Sequence, residues 1–85
     1  MSKIKPNKNM LYTFKANVYN ERLGSQFGTT THITIIANNE EDAKIEAKKS
    51  FDKYVAALTK HHNIDGNGKV RKVINIFNYN NLTLE

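Results

Sequence analysis

The sequence predicts a two-layer α+β fold, in which one long helix covers one face of a three-stranded antiparallel sheet with strand order 2-1-3. Two runs of alternating apolar and polar residues come first, a long segment with helical periodicity follows, and a third strand-like run comes last. The helix returns the chain, so the third strand lies beside the first and every neighbouring pair is antiparallel. No segment remains to cover the other side of the sheet, which we call the open face.

Length and composition limit the class of protein. The 85 residues are enough for one domain with one small core. There is no cysteine, which excludes disulfides and thiolate chemistry and suits a reducing, cytoplasmic compartment. No apolar run approaches the roughly 20 residues that span a bilayer. Frequent Asn, Lys and Ile without Trp or Cys is typical of an AT-rich bacterial or phage genome.

Residues 1–9 are predicted to form a flexible basic arm, followed by a single domain at residues 10–85. The arm is polar and contains the single proline, which interrupts regular structure. Most of the formal net charge of +5 lies in the arm and first strand, because the first twenty residues contain four lysines and no acid. Those lysines are Lys3, Lys5, Lys8 and Lys15. Such an arm either lies along the phosphates of a polyanion or is a disordered leader.

Two strands are predicted before the helix. At residues 10–20, apolar residues at even positions alternate with polar residues at odd positions, and the even side is expected to meet the helix. Lys15 and Tyr19 therefore fall on the open face. The second strand, at residues 29–37, is rich in β-branched residues. Its odd positions are the better core candidates, so His32 is expected on the open face beside Lys15.

The connection at residues 21–28 is longer than a tight hairpin turn and contains Gly24 and Gly28. It also carries two large apolar side chains, Leu23 and Phe27. We expect both to fold back as a lid over the core. The alternative is an exposed anchor for a partner.

The helix is predicted at residues 38–62 and has signals at both ends. Asn38 or Asn39 is suited to cap a first turn that contains three acids, and the last turn contains a lysine and two histidines. Apolar residues three or four positions apart form one stripe toward the sheet. The stripe consists of Ala43, Ala47, Phe51, Tyr54, Val55 and Leu58.

Residues 63–69 are predicted to form a glycine-rich turn that ends the helix. Their Asn and Asp pattern is similar to the start of a calcium loop, but it holds one carboxylate and lacks the bidentate glutamate, so we expect no metal there. The third strand is predicted at residues 70–80. Its facing is ambiguous, because both alternating sets of positions carry apolar side chains.

No motif in the sequence points to enzymatic chemistry. Glycine-rich phosphate-binding motifs are missing, and His61 and His62 are adjacent, so they diverge by about 100° on a helix. His32 with Lys15 or Glu21 lacks a second acid or base at fixed geometry. We therefore expect a non-catalytic protein without a cofactor or a metal.

The open face combines rings, cations and amides, which is the chemistry of a nucleic-acid platform. The side chains assigned to it are Lys15, Asn17, Tyr19, His32, Thr34, Arg71, Asn75, Phe77 and Tyr79. The first hypothesis is that the basic arm and the open face bind DNA or RNA. The second is that a small accessory or inhibitor protein, of the kind that phages encode, docks on a host protein through the open face and the 21–28 loop, with Phe27 as an anchor. Under either hypothesis the open face would be able to seal a homodimer, and no membrane contact is expected.

Overall fold

The computed structural model of the chain describes residues 10–70 and 72–85. Its elements are β1 (Met10–Asn20), a short 3-10 turn (Ser25–Phe27), β2 (Thr29–Ala37), α1 (Glu40–His62) and β3 (Phe77–Leu84). The strands form one antiparallel sheet in the order β2-β1-β3, with α1 packed on one side. The predicted two-layer ββαβ fold is therefore confirmed. No helix in the described part of the chain has the length and apolar character needed to cross a bilayer.

The central strand β1 fixes the register of the whole sheet. Lys15 lies opposite His32 on β2, as predicted, and opposite Thr83 on β3. Even-numbered side chains of β1 point toward α1, and odd-numbered ones point to the open face. Because strand neighbours share a face, this phase decides which side chains of β2 and β3 are buried.

The helix begins after Asn39, one of the two predicted caps. The backbone N–H of Asp42 donates a 2.8 Å hydrogen bond to Asn39 Oδ1, and three acidic residues occupy the first turn. A cap of this kind contributes about 1 kcal/mol. Lysine and two histidines occupy the last turn, where their positive charge complements the dipole when the histidines are protonated.

The core lies between β1 and α1. From β1 it takes Phe14, Ala16 and Val18, and from α1 it takes Ala43, Ala47, Phe51 and Val55, all of them buried. The two helix alanines pack near Phe14, while Phe51 and Val55 pack near Val18. Tyr54 was expected in this stripe but is exposed. Residues four positions apart on a helix differ in direction by about 40°, so the buried positions drift around the helix along its length. At the level of Val55, the side that faces the sheet no longer includes Tyr54.

The third strand lies at Phe77–Leu84, so the predicted range of 70–80 is wrong. Asn20, the last residue of β1, pairs with Phe77, and beyond this pair the Ile76 carbonyl accepts from the Glu21 N–H at 2.8 Å. Side chains hold the residues before Ile76 in the return segment at residues 63–77. Asn63 is only 3% exposed; its amide donates to the carbonyls of Thr59 and Asn75 at 2.7 and 2.8 Å.

The same asparagine also accepts hydrogen bonds. Asn63 Oδ1 receives the backbone N–H groups of Ile74 and Asn75 at 3.0 and 3.3 Å. Next to it, Thr59 Oγ1 accepts from the Phe77 N–H at 2.9 Å. One buried amide and one hydroxyl thus join the end of α1 to the chain that enters β3.

Phe77 and Tyr79 face the helix, so their predicted place on the open face is wrong. Tyr79 pairs with Val18, which is buried toward α1, and the two side chains therefore share that face. The Tyr79 ring lies 5.3 Å from that of Phe51, and the Phe77 ring lies 4.8 Å from that of His62. Residues 70–79 carry apolar side chains in both phases, and pairing with β1 selects the phase that the periodicity left open.

Candidate functional site

The open face carries polar side chains from all three strands. It comprises Thr13, Lys15, Asn17 and Tyr19 from β1, Thr30, His32 and Thr34 from β2, and Asn78, Asn80 and Thr83 from β3. Pairing brings them together: Asn17 lies opposite both Thr30 and Asn80, and Tyr19 lies opposite Asn78. The structure thus confirms that the predicted residues Lys15, Tyr19 and His32 share one face.

Other predicted site residues are elsewhere. Phe77 and Tyr79 are on the helix side, and Asn75 belongs to the return segment, where its side chain accepts from Asn20 Nδ2 at 3.0 Å. The remaining predicted cations are outside the described residues; they are Lys3, Lys5, Lys8 and Arg71. The described open face has the rings of Tyr19 and His32 and lacks those of Phe77 and Tyr79. Its aromatic content is therefore lower than predicted.

Two carboxylates lie on this face beside its polar side chains. His32 Nε2 lies 3.5 Å from Glu85 Oε1, and both side chains are about half exposed. At the other end, Glu21 Oε2 accepts a 2.9 Å hydrogen bond from Asn78 Nδ2. Lys3, Lys5, Lys8 and Arg71 account for four of the five excess positive charges, so the described residues have a formal charge of +1. The described open face is polar and is not strongly cationic.

Amides and hydroxyls on the open face are already paired with one another. Asn17 Nδ2 donates to Asn80 Oδ1 at 3.2 Å and to the Ser25 carbonyl at 2.9 Å. The hydroxyl oxygens of Thr13 and Thr34 are 3.1 Å apart. Sequence reasoning missed Asn78 and Asn80, because their place on this face depends on the position of β3. These internal bonds fix the shape of the surface and occupy groups that would otherwise recognise a base.

A β-bulge forms a shallow depression in the open face. The register of β3 shifts between the partners of Lys15 and Asn17, and Asn81 adopts a left-handed backbone with φ of 58°. Asparagine tolerates this conformation better than most residues do. The depression has a volume of about 150 Å³ and is lined by Lys15, Asn17, Thr30 and Asn81. Sites for small molecules are larger, roughly 300 to 1,000 Å³, so this surface is suited to contact rather than enclosure.

The 21–28 loop is ordered and does not form the predicted lid. The Asn20 carbonyl accepts from the N–H groups of Leu23 and Gly24 at 3.0 Å, and Asn20 Oδ1 accepts from the Arg22 N–H at 2.9 Å. These bonds close the loop upon the end of β1, which keeps it from reaching over the core. Leu23 and Phe27 are consequently 62% and 69% exposed.

A second apolar pair lies at the opposite end of the open face. Leu11 and Ile36 are directly paired across β1 and β2, and they are 69% and 63% exposed. Four more aliphatic side chains are exposed in the segment that leads to β3: Val70, Val73, Ile74 and Ile76. The described surface therefore offers several apolar groups to a partner.

Among the described residues, no three His, Asp or Glu side chains lie close enough together to hold a metal ion. In the 63–69 turn, Asp65 Oδ1 accepts the N–H groups of Asn67 and Lys69 at 2.8 and 3.0 Å, so this carboxylate stabilises the turn. The pKa of Tyr79 is raised above 10.0 by burial and by its hydrogen bond to the negatively charged Asp52, but this pair lies on the helix side.

Comparison with protein-family models, with characterised proteins and with solved structures gives no match for this chain. The candidate site therefore depends on geometry alone. It consists of the open face and, at one end, the ordered 21–28 loop.

Proposed function

We propose that this chain is a small cytoplasmic, non-catalytic accessory or inhibitor protein that docks on another protein through the open face and the 21–28 loop. One observation carries the proposal: an ordered loop holds Leu23 and Phe27 in solvent beside a polar, hydrogen-bonded sheet face. Apolar anchors with a polar surround are typical of protein–protein interfaces.

The order of the loop favours binding. Backbone bonds within it join Phe27 N–H to the Gly24 carbonyl and Gly28 N–H to the Ser25 carbonyl, both at 3.1 Å. The Asn17 side chain adds a bond from the sheet to Ser25. A loop that is already fixed loses little conformational entropy when a partner binds. Full burial of a Leu or Phe side chain contributes about 1.5 to 3 kcal/mol relative to exposure.

The chemistry of the surface also indicates the kind of partner. The described open face pairs its histidine with a carboxylate and its amides with one another, so long-range charge attraction is weak. A complementary surface would have an apolar pocket for Phe27 and hydrogen-bonding groups around it. Affinity for such a partner is expected to change little with salt.

The test is a pull-down from host lysate in which captured proteins are identified, purified and titrated against variants. Phe27→Ala is expected to weaken binding at least tenfold, since the loss of one buried aromatic anchor removes roughly 2 kcal/mol or more. Ile45→Ala is the matched control, because Ile45 is an exposed apolar residue on the outer side of α1. Equal affinity of the two variants would contradict the proposal, provided that circular dichroism shows both to be folded.

DNA or RNA binding by the basic arm and the open face is the second candidate. The observation that favours it is the grouping of Lys15, Tyr19 and His32 on one face. Base stacking on a ring is worth about 1 to 3 kcal/mol, and the arm lysines would contact phosphates. Titration of single- and double-stranded oligonucleotides at two salt concentrations tests it. Binding should weaken steeply with salt and fall further in Lys15→Gln and Tyr19→Ala; oligonucleotide binding that is absent or insensitive to salt would exclude it.

A further inference from the structure

The outer edge of β2 is the most regular free strand edge in the described structure. β2 is a terminal strand of the sheet and pairs with β1 along its whole length, from Thr29 to Ala37. It contains no Lys, Pro or Gly and no bulge, which are the features that protect strand edges from pairing. The other edge strand, β3, is interrupted by the bulge at Asn81. Of the two edges, only that of β2 is suited to continue the sheet.

The backbone groups on this edge can be assigned from the hydrogen bonds of β1. The Thr13 carbonyl accepts from Glu85 N–H on the β3 side at 2.8 Å. N–H and C=O groups of one strand residue point the same way and alternate along the strand, so odd residues of β1 face β3 and even ones face β2. Odd residues of β2 pair with those even residues. The even residues of β2 therefore direct their N–H and C=O groups outward, and no described residue pairs with them; they are Thr30, His32, Thr34 and Ile36.

We propose that the β2 edge pairs with the β2 edge of a second copy of this chain, which forms a continuous six-stranded antiparallel sheet. The strand is centred on Ile33, so full overlap around a two-fold axis places Ile33 opposite its own copy. In this register His32 meets Thr34, Thr30 meets Ile36, and Thr31 meets Ile35. Outward-directed residues then face one another, as a hydrogen-bonded ladder requires.

Charge and burial both favour a second copy as the occupant. β2 carries no Lys, Arg, Asp or Glu, so self-pairing places no such charges opposite each other. The acidic cluster at Glu40, Glu41 and Asp42 follows the end of β2, and an antiparallel arrangement puts the two clusters at opposite ends of the interface. Ile33 and Ile35 point toward α1 but remain only partly buried at this edge. A second β2 strand would cover them with matching β-branched side chains.

The assembly would retain the rest of the molecule unchanged. A two-fold axis perpendicular to the sheet keeps both helices on one side and joins the two open faces on the other. The proposal does not depend on the function proposed above, because the 21–28 loop is at the end of β2 and is not on its edge. Failure of one proposal therefore leaves the other intact.

Sedimentation equilibrium between about 10 μM and about 1 mM protein tests the association, using wild type, Thr34→Pro and Thr34→Val. Proline removes the outward N–H at position 34, which β1 does not use, and is tolerated on free edges. Valine removes only the side-chain hydroxyl and is the matched control. Wild type and Thr34→Val should shift from monomer toward dimer with concentration, whereas the dissociation constant of Thr34→Pro should rise at least about tenfold.

Cross-linking tests the register and remains informative if Thr34→Pro fails to fold. The chain has no cysteine, so Ile33→Cys introduces a single thiol. Directly opposed residues of a non-hydrogen-bonded pair have Cα atoms about 4.5 Å apart, which a disulfide spans. Oxidation with diamide should give a covalent dimer for Ile33→Cys and much less for the exposed control Ile45→Cys. Three results would overturn the proposal: a monomeric wild type, a dimer that persists in folded Thr34→Pro, or equal cross-linking of the two cysteine variants. A monomeric wild type would leave the β2 edge to a strand from another protein or to residues 1–9.

Discussion

The β1–β2 hairpin and the return segment at residues 63–77 are attached to the fold in different ways. The hairpin is stabilised by a regular ladder of nine residue pairs, from Met10 opposite Ala37 to Val18 opposite Thr29. In the return segment, the side chains of Asn63 and Thr59 satisfy backbone groups of residues 74, 75 and 77, and the Ile76 carbonyl accepts from the Glu21 N–H at 2.8 Å. The stability of the hairpin is distributed over many hydrogen bonds, whereas the attachment of the return segment depends on a few. Single polar substitutions should therefore matter far more in the second region.

Substitution of Asn63 should have the largest effect. Asn63→Ala removes four side-chain hydrogen bonds and leaves partly buried carbonyl and N–H groups of residues 59, 74 and 75 without these partners. The free energy of unfolding, measured in urea, is expected to fall by about 2 to 4 kcal/mol.

Thr13→Val is the matched control in the hairpin. It removes the hydroxyl that lies 3.1 Å from that of Thr34, where both groups are exposed. Its effect should stay within about 0.5 kcal/mol. Equal losses in the two variants would mean that the return segment is not held by the Asn63 amide, and the contrast between the two regions would no longer stand.

Thr59 is expected to have a smaller effect in the same region. Thr59→Val keeps the shape of the side chain but leaves the Phe77 N–H without its 2.9 Å partner. A loss of about 1 to 2 kcal/mol in unfolding free energy follows from one unsatisfied, partly buried donor. Thr59→Ser retains the hydroxyl and should recover most of that loss; a serine variant as unstable as the valine variant would assign the effect to the lost methyl group.

The same contrast explains how much of the fold the sequence predicts. The ranges 10–20 and 29–37 agree with β1 and β2, because alternation in each has a dominant phase. The cap at Asn39 and the buried helix positions Ala43, Ala47, Phe51 and Val55 also agree. The third strand begins later than predicted, at Phe77. Residues 72–76 have the apolar composition of a strand, but β1 ends at Asn20, and beyond it the Ile76 carbonyl accepts from the Glu21 N–H. β3 is rich in asparagine and forms because β1 offers it an edge.

The candidate site follows the same rule. Lys15, Tyr19 and His32 were placed correctly, because each lies on a strand whose phase the sequence determines. Phe77 and Tyr79 were misplaced, since their phase depends on pairing with residues about sixty positions earlier in the chain. The sequence assigns Asn63 only to the glycine-rich turn at residues 63–69, because its partners at 74 and 75 are brought near by the return of the chain.

Tyr79 gives the smallest and most specific effect, because it joins β3 to α1 through one hydroxyl group. Its O–H donates to Asp52 Oδ1 at 3.1 Å, and burial, followed by this bond and the Asp52 charge, raises the pKa of Tyr79 above 10.0. As pH rises past 10, the unfolded chain releases the tyrosine proton before the folded chain does. The contribution to stability is therefore complete below pH 10 and is lost as pH rises through the folded pKa.

Urea unfolding at about pH 8 and about pH 11 should show this difference. Wild type should lose more stability between the two conditions than Tyr79→Phe, which has no proton to release at this position. Asp52→Asn removes the charge that opposes ionisation of Tyr79 and should give an intermediate loss. Identical losses in wild type and Tyr79→Phe would show that the hydroxyl is equally free to ionise in both states, and the link between β3 and α1 would then rest on the contact of the Tyr79 and Phe51 rings alone.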